Sequence, residues 1–119
     1  MGQVEEILRS RTANRERLER EAPALYAGFY GLMKEFYKPS ALDRKTKELM
    51  AVTASVATRC VPCLANHMNN AVTAGATREE VIDAATIGVE FGGGPSFVVV
   101  REYLLAFLDE VEELRKRPA

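Results

Sequence analysis

Nowhere in this 119-residue chain do apolar and polar positions alternate for long enough to write a half-buried strand, although valine, threonine and tyrosine are all present. Apolar positions recur instead at helical spacing from end to end. The chain is therefore read as all-α, a single-domain bundle of about six helices over residues 1–119. With 47% hydrophobic residues it can bury one modest core, and a second domain is not expected.

The first helix is expected from Val4 to about Arg20, with Val4, Ile7, Leu8 and Leu18 as its apolar positions. Pro23 suits the first turn of a second helix, in which Leu25, Phe29, Leu32 and Phe36 form one stripe and Tyr26, Tyr30, Met33 and Tyr37 a second beside it. A helix so broadly apolar is either a buried core element or a subunit interface. Lys38-Pro39-Ser40 breaks the chain, and Asp43 or Ser40 can cap a third helix running to about Ala57, with Leu49, Val52 and Val56 facing inward. A fourth opens near Cys60 and stops at Gly75. Thr77-Arg-Glu-Glu80 is a capping box that starts a fifth, whose Ala84, Ala85 and Gly88 permit close helix approach. Gly92-Gly93-Gly94-Pro95 ends it, and a last helix is expected from about Ser96 to Arg115, burying Phe97, Val100, Leu104, Leu108 and Val111.

The net charge of −1 gives no reason to expect nucleic acid, which needs a clustered basic surface. The arginines between Arg9 and Arg20 alternate with glutamates and read as a solvated helix face. No run approaches the roughly 18 apolar residues of a spanning helix, and the first residues lack the basic and apolar regions of a signal peptide. No membrane association is expected, and the cytoplasm is the expected location. The glycine turn lacks the Gly-Lys-Ser/Thr of a phosphate cradle and reads as a breaker.

Cys60-Val-Pro-Cys63-Leu-Ala-Asn-His67 holds both cysteines and the only histidine. On a helix that Pro62 helps to open, Cys60, Cys63 and His67 stand at i, i+3 and i+7 and share a face. A helix N-terminus and a nearby imidazole both favour the thiolate, so redox or nucleophilic thiol chemistry is the leading expectation. Glu48, on or beside the apolar stripe of the preceding helix, can approach the same face if the two helices form a hairpin, and a carboxylate there must be paired or kept partly neutral. Other readings stand beside this one. A disulfide closing so short a loop contributes only about 2 kcal/mol by the chain-entropy model. Cys60, Cys63, His67 and Glu48 could together ligate zinc, although structural zinc is usually held by cysteine and histidine alone. A lone histidine is often a hydrogen-bonded core residue.

In order, Glu48, eleven intervening residues, Cys60-x-x-Cys63, three residues, His67, then Ala74-Gly75-Ala76-Thr77 with Glu79 and Glu80, and the Gly92–Pro95 turn resemble the carboxymuconolactone decarboxylase and alkylhydroperoxidase D-like superfamily. The likeness covers residues 42–108 or so, the expected core. It implies an all-helical homo-oligomer, hexamer before trimer, in which the paired cysteines cycle between dithiol and disulfide in antioxidant defence. A peroxide or a disulfide would be the substrate, with a lipoyl dithiol as electron donor or a peroxiredoxin as partner, and no cofactor or metal. By the same resemblance Cys63 is the attacking thiol, Cys60 resolves, and Glu48 and His67 relay protons. True carboxymuconolactone decarboxylases lack the cysteine pair, which favours the redox branch. Pro62 departs from the pattern, since some peroxidase members carry a second histidine there. The alternatives are a decarboxylase-like enzyme that keeps its cysteines for another purpose and a non-enzymatic, zinc-stabilised assembly module.

Overall fold

The computed structural model describes residues 2–117, and every described element is helical. Helices α1 (Gln3–Glu21), α2 (Pro23–Phe36), α3 (Arg44–Ala57), α4 (Val61–Thr73) and α5 (Arg78–Gly92) are followed by one long rod, built of α6 (Gly94–Val99), a π-helical turn (Val100–Leu104) and α7 (Leu105–Lys116). Proline occupies the first turn of α2, α4 and α6, where its missing N–H has no partner to lose. Asp43, not Ser40, caps α3, its side chain accepting from the Thr46 amide at 2.8 Å. The capping box forms in both directions, with the Glu80 amide donating to Thr77 Oγ1 at 3.1 Å and the Thr77 amide to Glu80 Oε1 at 2.9 Å. Lys45 Nζ also lies 3.0 Å from Glu80 Oε2, tying the starts of α3 and α5 together. Helix α1 has no side-chain cap of its own, and Glu110 of α7 supplies one, accepting from the amides of Val4 and Glu5 at 2.9 and 2.8 Å.

Helix α3 lies at the centre, packed along α4 and α5. Its Val52 and Val56 join Leu64, Ala65 and Met68 of α4, Val81 and Ala85 of α5, and Leu104, Phe107, Leu108 and Val111 of the last rod in one core. The α3–α5 approach needs Gly88: a Cβ there would fall 2.6 Å from the Thr53 carbonyl oxygen and 2.7 Å from Val56 Cβ.

Two elements depart from the sequence expectation. None of the α2 residues is buried, which rules out the core-helix reading within the monomer; Leu25, Phe29, Leu32 and Phe36 stand about half exposed or more, while Tyr26, Tyr30, Met33 and Tyr37 turn inward and are half-buried. In the last rod Phe97 is 52% exposed, and Val99 and Phe107 are buried in its stead. The cause is the π turn. It absorbs an extra residue between Val99 and Leu104, which lie five apart yet reach the same core, so no single 3.6-residue stripe can describe the rod.

Candidate active site

Two successive chain reversals set the thiol helix in place. At the end of α3 the Cys60 amide donates to the Ser55 carbonyl at 2.9 Å and the Arg59 amide to that of Val56 at 3.1 Å, a Schellman motif. At the end of α4 Ala76 and Gly75 bond back to Ala71 and Val72 in the same way. The left-handed position of the second motif is Gly75, at φ 100°; that of the first is Arg59, at φ 57°, the only non-glycine residue with positive φ among those described. This turn sets Cys60 at the N-cap of α4, where its Sγ accepts from the Cys63 amide at 3.3 Å. Cys60 and Cys63, Cα atoms 5.2 Å apart and both half-buried, are joined as a disulfide. On reduction, the positive end of α4 favours a thiolate at this place.

One turn beyond Cys63, His67 meets Glu48. Glu48 is 1% exposed, and its Oε2 lies 2.8 Å from His67 Nδ1, while Asn70 Nδ2 donates to Oε1 at 3.4 Å. The pairing fixes the orientation of the imidazole, and when Glu48 is ionised it can only accept, which puts the shared hydrogen on Nδ1. Tyr37, just past α2, stacks on the imidazole with ring centroids 5.3 Å apart and planes 25° apart. Burial raises its phenol pKa above the usual 10.0, and the neighbouring Glu48 charge raises it further, so Tyr37 stays a neutral phenol in the working pH range.

Glu48, His67 and Asn70 form part of the wall of an open cavity of about 700 Å³ between the α1–α2 hairpin and the α3–α4 hairpin. The inward stripe of α2 supplies Tyr26, Tyr30, Met33 and Tyr37. Five cations surround it: Arg11 and Arg15 from α1, Lys34 from α2, Lys38 from the connection and Arg44 at the start of α3. The arginine-rich stretch of α1 is exposed, as expected of a solvated face, apart from half-buried Arg15. Arg9 and Arg17 do pair with Glu5 and Glu21 one turn away, but Arg11 and Arg15 line the cavity.

The four residues singled out in the sequence fall into two pairs, Cys60 with Cys63 and Glu48 with His67. Cys60 caps α4, Cys63 and His67 belong to it, and Glu48 reaches His67 from α3, yet neither cysteine lines the cavity, and among the described residues no hydrogen bond joins one pair to the other. Sequence reasoning missed Tyr37 and Asn70. Asn70 could have been found as the next position, i+3, on the face of His67, and Tyr37 as the last member of the tyrosine stripe. Among the described residues no three His, Cys, Asp or Glu side chains are grouped to hold a metal ion. No described helix is long and apolar enough to cross a membrane.

Fold and site together define an all-helical protein carrying a Cys-x-x-Cys disulfide beside a buried carboxylate–imidazole pair. The chain belongs to the carboxymuconolactone decarboxylase family, whose model matches residues 23–106. It is 35% identical to a carboxymuconolactone decarboxylase family protein of Legionella pneumophila, with a TM-score of 0.80 over 95% of this chain and 97% of that one. A Thermotoga maritima structure, described as a "carboxymuconolactone decarboxylase family protein possibly involved in antioxidative response", is 32% identical with a TM-score of 0.84 over 93% of each chain. An uncharacterized protein of the cox locus of Paracoccus denitrificans is 33% identical over 84 residues, which make up 71% of this chain and 75% of that protein.

Proposed function

We propose that this protein is a thiol-dependent peroxidase of the alkylhydroperoxidase D-like kind, cycling Cys60 and Cys63 between dithiol and disulfide. The observation that carries the reading is the Cys60–Cys63 disulfide at the start of α4, with the Glu48–His67 pair one turn further along the same helix. In the cycle, the Cys63 thiolate sulfur attacks the terminal oxygen of a hydroperoxide and the O–O bond breaks. The leaving alkoxide takes a proton and departs as the alcohol, and Cys63 is left as a sulfenic acid. Cys60 then attacks that sulfur, the S–S bond forms, and water leaves. The dithiol has lost two electrons and two protons; the peroxide has gained them. His67, held by Glu48, accepts the Cys63 proton and returns it to the leaving oxygen. An external dithiol of the lipoyl type, or a partner protein such as a peroxiredoxin, closes the cycle by exchange at the disulfide.

The half-exposed Leu25, Phe29, Leu32 and Phe36 stripe supports a homo-oligomer, hexamer before trimer, in which a second copy covers α2. We place the cycle in the cytoplasm, where reductants regenerate such a dithiol.

The test is turnover. Reduced dihydrolipoamide and an organic hydroperoxide should be consumed in equal amounts with wild type, and turnover should vanish with Cys63→Ser. A hydroperoxide that is consumed only stoichiometrically, with no return of the dithiol state, would overturn the catalytic cycle. A decarboxylation or lactone reaction that survives Cys63→Ser would move the reading to acid–base chemistry on Glu48 and His67 alone.

A further inference from the structure

Elsewhere in the molecule several cationic side chains find acidic partners, while among the described residues Arg59 and Lys47 each bond a carbonyl, Lys47 and Arg115 each a hydroxyl, and Arg20 pairs with no acid. Arg78 pairs with Asp109 and Glu112, Lys45 with Glu80, and Arg117 with Glu5. Around the cavity they do not: Arg11, Arg15, Lys34, Lys38 and Arg44 form no ion pair among the described residues. The single carboxylate in that wall, Glu48, is buried and already engaged by His67 and Asn70, so it cannot neutralise them. Five like charges drawn from α1, α2, the α2–α3 connection and α3 around one concavity raise its potential, against the single carboxylate of Glu48. Beside Ala27, Gly31, Met33 and Pro39, the rest of the wall carries several aromatic rings. Tyr26 and Tyr30 rings lie 4.6 Å apart, Tyr37 lies on His67, and the Arg15 guanidinium sits 4.2 Å over the Tyr30 ring. A volume of about 700 Å³ is that of a small-molecule site.

We propose that this cavity selects organic hydroperoxides that carry a carboxylate, Arg15, Lys34 and Arg44 holding the anion and the tyrosine wall the apolar body, while the peroxide end reaches past His67, which lines the cavity, to Cys63, which lies outside it one helical turn away. The choice of a hydroperoxide as ligand rests on the thiol-peroxidase reading; the choice of an anion does not. Arginine and lysine meet a carboxylate by charge-assisted hydrogen bonds, which a neutral peroxide of the same shape cannot form.

The experiment compares cumene hydroperoxide with its para-carboxylated form, and measures by calorimetry the binding of para-isopropylbenzoate, para-isopropylphenyl phosphate and para-isopropylbenzamide to the disulfide form. The carboxylated peroxide should react with kcat/KM at least about tenfold higher than the neutral one, as expected of a charged hydrogen bond. That ratio should fall toward one in Arg15→Gln/Arg44→Gln and in high salt, and stay unchanged in Arg101→Gln, which does not line the cavity. The benzoate should bind where the amide does not. A ratio near one together with no benzoate binding would overturn the inference while leaving thiol catalysis standing. Tighter binding of the phosphate than of the benzoate would overturn the assignment to a carboxylate. Benzoate binding lost in the double variant, with neither peroxide reduced, would uphold the anion site and sink the thiol-peroxidase reading on which the choice of a hydroperoxide rests.

Discussion

Arg59 carries more of the geometry than its exposed position suggests. It holds φ 57° so that Cys60 can turn back into α4, whereas the matching turn at the other end of that helix uses Gly75. A side chain in the left-handed region costs roughly 1–2 kcal/mol, and Arg59 recovers a little through a 3.3 Å bond from Nη1 to the Gly92 carbonyl. Arg59→Gly should therefore stabilise the protein by about 1 kcal/mol, seen as a rise of a few degrees in Tm by calorimetry. An unchanged or lowered Tm would show that the Gly92 bond outweighs the backbone term. At Glu48 the expectation is kinetic. Glu48→Gln keeps the shape of the side chain but no longer fixes the imidazole proton on Nδ1, so the thiol should react with peroxide at least about tenfold more slowly near pH 7. Because thiols ionise unaided near pH 9, the deficit should shrink there. A folded variant that is equally slow at both pH values would point to packing and not to proton transfer. His67→Ala is the poorer probe, since it leaves a 1%-exposed carboxylate without its main partner.

Among the elements, the α5 start shows how a local signal becomes a pH response. The Glu80 carboxyl is held below its ordinary value of 4.5, first by the Thr77 amide and then by Lys45. A depressed carboxylate contributes stability that is fully present above its unfolded pKa and is lost as pH falls through the lower folded one. Asp43 at the α3 start behaves alike through the Thr46 amide. Urea denaturation between about pH 6 and about pH 3 should thus show a loss of stability, and Glu80→Gln should be less stable than wild type at the upper end but lose less of it on acidification. A variant with the wild-type pH slope would contradict the capping account. The α5 cap was legible outright, and the α3 cap narrowed to Asp43 or Ser40, because a cap is local chemistry: a side chain and an amide three residues apart. The direction in which α2 turns was not legible. Its two stripes are equally apolar on paper, and only the neighbouring α1 and α4 decide that the tyrosines face the cavity and the Leu25–Phe36 stripe faces out. The π turn was hidden for a similar reason, since Phe97, Val100 and Leu104 fit a 3.6-residue stripe that the rod abandons to bring Val99 and Phe107 into the core.

For the molecule as a whole, the candidate site residues were legible by spacing, and their environment was not. Glu48, Cys60, Cys63 and His67 could be picked out because their spacing places them on adjacent helix faces. The five cations of the cavity come from α1, α2, the loop and α3, a convergence that no single stretch of sequence displays. The outward stripe of α2 presents a row of apolar side chains about half exposed or more, and Ile87, Phe91, Phe97 and Leu105 are exposed elsewhere, apolar surface that a second copy could cover. Wild type should therefore sediment as a symmetric oligomer at micromolar concentration, and Phe29→Glu should shift it to smaller species while far-ultraviolet circular dichroism stays helical. A wild-type monomer would contradict the assembly. The central claim is the thiol cycle, and mass spectrometry of the reduced protein after one equivalent of peroxide tests it most directly. Wild type should lose two hydrogens as the Cys60–Cys63 disulfide forms, Cys60→Ser should stop at a sulfenic or over-oxidised Cys63, and Cys63→Ser should react far more slowly. The reverse behaviour of the two variants would exchange the roles of the cysteines, and a wild type that forms no disulfide under mild peroxide would contradict the account.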